Sequence, residues 1–417
     1  MAKILISPLG TGSLDRNNIA AREYRKANYK INDQCYERTF FSSVLYENLN
    51  LDGIIFIGTV KSMWEEVYRF FSEAKNLKFD EEYWFKLIEQ IEKLDYQSSP
   101  DSLDLSEVEK ILGERSKCIS IEYGLNETEL WHNFDRIIKI IDFLEDGDEI
   151  YIDITHSFRS LSIFMFLVMT FLNDLSSEKN IQIKGVYYGM LDVVREIGYA
   201  PVVNLQPVFD LTKWIKGAYS LKNFGNGYLI SQLLQEQGET LLAKEITQLS
   251  DAININYLPA IKQRANYLKS QLQPSTSSNP FKYLKNILDK FIKQFTSASE
   301  RESDFQLKLA GWYFENKRYA TGYITLTEAI ITYVCEIQSQ DSNSQTQRNQ
   351  MKEFLHLPEN NKRELAKLYF DVNPIRKSIA HALINEQRES YAQAIKNANN
   401  YHQKAKQIFK TRTLGNL

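Results

Sequence analysis

Five short apolar runs punctuate the first half of this chain, and stretches with a different period separate them. KILISP (3–8), GIIFIGT (53–59), CISIEYG (118–124), EIYIDIT (149–155) and KGVYYGM (184–190) are bounded by glycine, proline or polar residues. They are rich in β-branched and aromatic residues and predict strands. SMWEEVYRFFSEAK (62–75) and TELWHNFDRIIKIIDFLED (128–146) repeat their apolar residues at helical spacing. Strand and helix in alternation predict an α/β unit with a parallel sheet and helices on both faces. Such sheets take ligands beyond the carboxyl ends of their strands.

From about Leu211 the strand signal fades. LLAKEITQLSDAI (241–253), PFKYLKNILDKFIKQF (280–295), DFQLKLAGWYFENKRYATGYITLTEAIITYVCEI (304–337) and KRELAKLYFDV (362–372) are amphipathic at helical spacing. QPSTSSNP (273–280) reads as a loop and QSQDSNSQTQRNQ (338–350) as a flexible excursion. The expected organisation is therefore an α/β domain over residues 1–205, a connector over 206–225 and an all-helical domain over 226–417. A length of 417 residues agrees with more than one core.

Composition narrows the classes. Hydrophobic residues at 43% and charged residues at 25% are those of a globular protein. A net charge of -3 excludes a surface coated in positive potential for duplex DNA, though not a local basic groove. Cys35, Cys118 and Cys335 are scattered, so neither a disulfide framework nor a zinc site is expected, and no metal or cofactor is called for. MAKILISPLG is too short in its apolar part for a signal peptide. The longest apolar run, SIFMFLVMTFL (162–172), reads as a buried helix rather than a membrane span. No membrane partner and a cytoplasmic location are the expectations.

Three strand ends carry polar chemistry. In SPLGTGS (7–13), Gly10 and Gly12 let the backbone approach a ligand while Thr11 and Ser13 offer hydroxyls. In GTVKSMW (58–64), Thr59 and Ser62 flank Lys61 at an expected helix start. In DITHSFRSLSIF (153–164), Thr155, His156 and Ser157 occupy the turn, and Arg159 lies in the first helical turn. A cation there opposes the helix dipole, which a bound anion would relieve. Read singly, the glycines make a tight turn, Thr155 and Ser157 are N-caps and His156 is a turn residue. Together the three ends favour a phosphate-containing ligand. The pattern lacks the third glycine of a dinucleotide fingerprint, and no phosphate-binding lysine loop is present.

Near the other end, Asn373 and Pro374 predict a helix start, with Asn as cap and Pro at the first position. Arg376 and His381 follow, about 140° apart around the axis. Imidazole can exchange a proton with a ribose 2'-hydroxyl or a leaving 5'-oxygen near neutral pH. Guanidinium can pair two phosphate oxygens and stabilise added charge. An exposed cation and a packing histidine would give the same residues. A single histidine is also thin for acid–base cleavage unless a two-fold dimer joins two copies.

DITHSFRSL, ISPLGTG, IGTVKSMW and RKSIAH together resemble the effectors of type III CRISPR systems that join a CARF sensor domain to a HEPN ribonuclease domain. The resemblance spans nearly the whole chain, with its most specific part at 153–159. It implies a Rossmann-like CARF domain followed by a HEPN domain. It also implies a homodimer or higher oligomer that binds cyclic oligoadenylate as an allosteric activator and then cleaves single-stranded RNA without a metal. Arg376 and His381 become the catalytic pair. Gly10, Thr11, Gly12, Ser13, Thr59, Lys61, Ser62, Thr155, His156, Ser157 and Arg159 become ligand contacts. Ser157 stands where the family often has glycine, and Lys377 follows the arginine where many HEPN proteins carry asparagine. Two further readings remain open: a non-catalytic nucleotide-sensing or dimerisation protein, and a CARF domain that also degrades its cyclic ligand.

Overall fold

The computed structural model describes residues 1–15, 18–23, 26–156, 159–175, 179–271, 280–296, 301–381 and 390–416. The chain divides into two units, Met1–Thr212 and Lys213–Leu417.

In the first unit the strands are β1 (Lys3–Leu9), β2 (Ser13–Asp15), β3 (Asn18–Glu23), β4 (Ala27–Ile31), β5 (Gln34–Arg38), β6 (Gly53–Thr59), β7 (Lys117–Ile121), β8 (Glu149–Asp153), β9 (Gln182–Gly189) and β10 (Ala200–Asn204). Eight of them form one sheet in the order β5-β4-β10-β9-β8-β1-β6-β7, while β2 and β3 pair separately. β1 runs parallel to β6, with Ile4 opposite Gly53, and to β8, with Ile6 opposite Ile152. Alternation along β1 and β6 divides the core. Leu5, Leu9, Ile54 and Phe56 pack on one face beneath the helices Phe41–Asn48 and Trp64–Ala74. Ile4, Ile6, Ile55 and Ile57 pack on the other with the helices Glu127–Ile138 and Arg159–Leu175. Burial on both faces explains why these strands read as continuous apolar runs.

All five expected strands are present, but the sheet is mixed rather than wholly parallel. β10 runs antiparallel to β9, and β4 and β5 form a hairpin about Asn32, whose φ of 53° suits a tight turn. These strands are short, and β5 is largely exposed, so they lack the apolar run that marks a central strand. The run 162–172 also departs from expectation. Met165, Val168 and Met169 are buried, yet Ile163, Leu167 and Phe171 are 67%, 59% and 42% exposed, one stripe at i, i+4 and i+8.

The expected connector is helical over Gln206–Phe224. The second unit continues with helices Tyr228–Glu236, Thr240–Asn254, Leu258–Gln271, Phe281–Lys293, Glu302–Glu315, Tyr319–Ile337, Gln345–His356, Glu364–His381 and Tyr391–Thr411. These build two cores. One gathers Trp214, Leu234, Ile246, Phe291 and Phe305, the other Leu326, Ile330, Val334, Tyr369 and Phe409. The helix Glu302–Glu315 serves both, turning Leu309 and Trp312 to the first and Leu307 and Phe314 to the second.

Two helical expectations are corrected. The stretch 338–350 is not a loose excursion throughout: Ser344 caps a helix by accepting from the Gln347 N–H, and Arg348 donates to Thr332 and pairs with Glu328. No helix starts at Pro374, which lies inside the helix Glu364–His381. Proline there removes the hydrogen bond that the Phe370 carbonyl would accept, a local cost of about 3 kcal/mol. Leu365, Leu368, Tyr369, Val372 and Ile375 carry one buried stripe through it, and packing outweighs the missing bond. The loop expected at 273–280 lies, but for Pro280, outside the described residues.

Candidate ligand crevice and Arg–His pair

The chain leaves β1 for β6 on one side and returns to β8 on the other, so the sheet reverses direction of assembly between β1 and β8. A crevice opens at such a switch point, beyond the strand ends. Asp153, the last residue of β8, stands at that strand end and is 1% exposed. The carboxylate accepts from Ser7 Oγ at 2.8 Å and from the Thr155 N–H at 2.7 Å. Burial nevertheless pushes Asp153 up to about 6, because the two hydrogen bonds only partly replace lost water. Thr155 Oγ1 in turn accepts from the Gly189 N–H at 2.9 Å, fastening the turn after β8 to the end of β9.

His156 follows on the rim. Its Nε2 lies 3.3 Å from the hydroxyl of Tyr29, a fully buried residue of β4. Burial pushes the imidazole down to about 4, so it is neutral at physiological pH, and pushes the Tyr29 phenol up. Across the crevice, the Gly10 carbonyl accepts from the Met63 N–H at 3.1 Å. Gly12 has a φ of +69°, and a Cβ there would fall 2.2 Å from Met63 Sδ, so the backbone turn requires glycine.

The sequence candidates therefore separate. Gly10, Thr11, Gly12, Thr155 and His156 belong to turns at the strand ends on either side of the switch point. Thr59 and Ser62 are 2% and 1% exposed and tie strands together. Ser62 Oγ donates to the Leu9 carbonyl at 2.7 Å and accepts from the Thr59 N–H at 2.9 Å. Lys61 Nζ donates to the carbonyls of Ile91 and Glu92 at 2.7 and 3.1 Å, at the end of the helix Glu81–Lys93. That is favourable dipole chemistry and directs the ammonium to a helix end rather than to a phosphate. Ser157 and the side chains of Ser13 and Arg159 lie outside the described residues. Sequence reasoning passed over Ser7, Tyr29 and Asp153. The signal for two of them was a serine and an aspartate interrupting apolar runs in adjacent strands.

In the second unit, Arg376 and His381 occupy the last turns of the helix Glu364–His381. Arg376 is half-buried and its charge acts on the phenol of Tyr369, one helical face away from His381. His381 is exposed, and the two side chains make no hydrogen bond to each other. The chain thus holds an arginine and a histidine at one helix end with no hydrogen bond between them. Among the described residues no group of three or more His, Cys, Asp or Glu could hold a metal, and no helix is long and apolar enough to cross a membrane.

Comparisons with known proteins follow the same division. Residues 4–192 match the CARF domain of the CRISPR system endoribonuclease Csx1, and residues 210–301 match the second domain of the CRISPR-associated protein MJ1674. Over 412 residues the chain is 36% identical to the CRISPR-associated protein MJ1674 of Methanocaldococcus jannaschii, covering 94% of this chain and 64% of that relative's length. A solved structure of Enterococcus italicus Csm6 bound to cyclic hexa-2'-fluoro-hexa-dAMP aligns over 99% of this chain and 95% of its own at 15% identity. Its TM-score of 0.35 is too low for any residue of that protein to be placed on this one. The second-domain match ends where the helix Glu302–Glu315 begins, so it covers most of the first helical core and leaves the Arg376–His381 helix outside.

Proposed function

Starting from a CRISPR-associated CARF-domain chain related to Csx1, we propose that this protein is an endoribonuclease switched on by cyclic oligoadenylate. The observation that carries the reading is the match of the first unit to a CARF domain of an endoribonuclease, together with a switch-point crevice suited to phosphate. The cyclic ligand binds across the turn Gly10–Gly12 and the chain at Thr155 and His156 after β8. Backbone N–H groups of the glycine turn, the Thr155 turn and the start of the helix Arg159–Leu175 meet its phosphates. His156, neutral because it is buried, offers a hydrogen bond rather than a charge.

Cleavage is assigned to Arg376 and His381 of two protomers brought together in a HEPN-type site. One imidazole takes the proton of the 2'-hydroxyl as that oxygen attacks the adjacent phosphorus. The second gives a proton to the departing 5'-oxygen, while the arginines stabilise the phosphorane. The products are a 2',3'-cyclic phosphate and a 5'-hydroxyl. The exposure of His381 supports this reading, because it leaves the imidazole open to a second chain. The exposed stripe Ile163, Leu167 and Phe171 supports a dimer through the first unit.

The test is cleavage of labelled single-stranded RNA with and without cyclic tetra- and hexa-adenylate. His381→Ala and Arg376→Ala should each reduce activated cleavage at least 100-fold while leaving activator affinity within twofold. Thr155→Val should instead raise the activator concentration needed. Undiminished cleavage by His381→Ala, purified free of other nucleases, overturns the site. The separation of Arg376 from His381 around the helix axis, about 140°, favours one competing reading, a sensor whose helical part only assembles; there no cyclic oligoadenylate elicits cleavage.

A further inference from the structure

A cleft of about 550 Å³ lies at the seam between the two cores of the helical unit, remote in sequence from Arg376 and His381. One wall is the helix Tyr391–Thr411, which places His402, Lys406 and Lys410 at i, i+4 and i+8, on a single face. The opposite wall is the helix Glu302–Glu315, which supplies Lys308, Gly311 and Glu315. Phe295, Trp312 and Phe409 form the apolar floor.

Gly311 is the point of closest approach. A Cβ there would stand 2.6 Å from both Cε1 and Nε2 of His402, so the imidazole lies directly on the helix backbone. Glycine inside a helix is destabilising by roughly 0.5–1 kcal/mol relative to alanine. Here the missing side chain is what admits the ring. His402 Nε2 lies 3.0 Å from the Leu307 carbonyl. A carbonyl can only accept, so Nε2 carries the hydrogen and Nδ1 is left as the ring's acceptor. The ring is seated by a glycine notch and oriented by a backbone acceptor, an arrangement that a packing residue does not require.

The charges point the same way. Arg301 closes on Asp304 through two hydrogen bonds of 2.8 and 3.0 Å, so that pair is internally neutral. Lys308, Lys406 and Lys410 are exposed and enter no ion pair among the described residues, and Glu315 is the one carboxylate left to face them. A chain with a net charge of -3 has thus gathered three ammonium groups around one cleft. Three ammonium groups around one cleft give it a local positive potential that attracts an anion.

We infer that this cleft binds the phosphate of a single nucleotide unit, either free or at the end of an RNA chain. Lys308, Lys406 and Lys410 are the phosphate contacts, and His402 is a positioning residue that fixes the ligand's orientation. The volume lies within the range of small-molecule pockets and holds one nucleotide rather than a folded polynucleotide. The inference does not depend on the ribonuclease reading, since neither Arg376 nor His381 lines the cleft.

The test uses the full chain carrying Arg376→Ala and His381→Ala, so that neither cleavage nor a composite site intervenes. With four of the five histidines left in this variant, the imidazole Cε1–H resonances can be resolved by NMR, and His402→Gln identifies the one concerned. Three probes are titrated: inorganic pyrophosphate, adenosine diphosphate and a 5'-phosphorylated pentanucleotide RNA. Saturable movement of the His402 resonance is expected with at least one of them. Movement by the first two identifies a free-nucleotide site, and movement by the RNA alone identifies an RNA-end site. Combined Lys308→Gln, Lys406→Gln and Lys410→Gln should weaken the responding probe at least tenfold and flatten its salt dependence. Gly311→Ala should displace the His402 resonance even without a probe and weaken binding severalfold. A His402 resonance indifferent to all three probes at millimolar concentration, or a triple variant binding within twofold of the parent, overturns the inference.

Discussion

The strand-end crevice and the C-terminal end of the helix Glu364–His381 present their polar groups in opposite ways. In the crevice three side chains are held from within the chain: Asp153 by Ser7 and the Thr155 backbone, Thr155 by Gly189, His156 by Tyr29. At the helix end, Arg376 is half-buried without touching His381, and His381 stands in solvent. A ligand entering the first meets a surface already organised, so little ordering remains to oppose binding. The second is unfinished. Under the proposed function it would acquire chemistry only when a second chain supplies what is missing, and an activator at one place would then govern reaction at another.

The sharpest way to break that contrast is to separate the protomers. Ile163→Glu with Leu167→Glu puts two carboxylates in the exposed stripe, where neither alters a buried contact. Sedimentation should shift to the monomer, and activated RNA cleavage should fall at least 100-fold while thermal stability stays within a few degrees. A monomeric variant that cleaves at the parental rate would show that one chain contains a finished site.

The crevice can be probed through its two perturbed groups, whose effects on stability have opposite sign. Burial lifts Asp153 to about 6, so its proton is held more tightly in the folded chain. Its contribution is present at low pH and is lost as pH rises through 6. Burial drops His156 to about 4, so the unfolded chain takes up a proton first as pH falls below 6.5. Its contribution is present at neutral pH and is lost between 6.5 and 4. Over that window the two largely cancel. Asp153→Asn should therefore lose stability on acidification from pH 7 to 4.5, and His156→Gln should gain it, each by about 2 kcal/mol relative to the parent. Urea unfolding at four pH values reads this. Parallel curves for all three proteins would mean that neither ionisation is linked to folding.

The same contrast governs what could be read from sequence. Strands buried on two faces, β1 and β6 above all, write themselves as apolar runs, and β7, β8 and β9 keep enough of that run to be legible, so the strand ends could be located. Single residues within them were harder. Ser7 and Asp153 look like interruptions until the register sets adjacent strands together, and Tyr29 sits in a short strand with no apolar run. Thr59, Lys61 and Ser62 looked like ligand groups because their chemistry suits phosphate, yet Ser62 bonds to Leu9 and Thr59, and Lys61 to Ile91 and Glu92. In the helical unit, periodicity gave the helices but not their partners. Gly311 and His402 lie 91 positions apart, and nothing local joins them.

Pro374 shows local chemistry and packing in direct competition, and its replacement should have the smallest effect. As a helix-start signal it was misleading, because the buried stripe from Leu365 to Ile375 runs straight through it. Pro374→Ala restores the N–H for the Phe370 carbonyl and relieves the ring's clash with the preceding turn. It also gives the unfolded chain more freedom, so the net gain should be about 1–2 kcal/mol, seen as a rise in melting temperature. Proline also sets the direction in which the last turns leave the helix, and those turns carry Arg376 and His381. The variant should therefore be more stable yet cleave RNA severalfold more slowly. Greater stability with unchanged cleavage would mean that contact with the partner chain, rather than the proline, aims the two side chains, and the helix end would be still less organised than its half-buried arginine suggests.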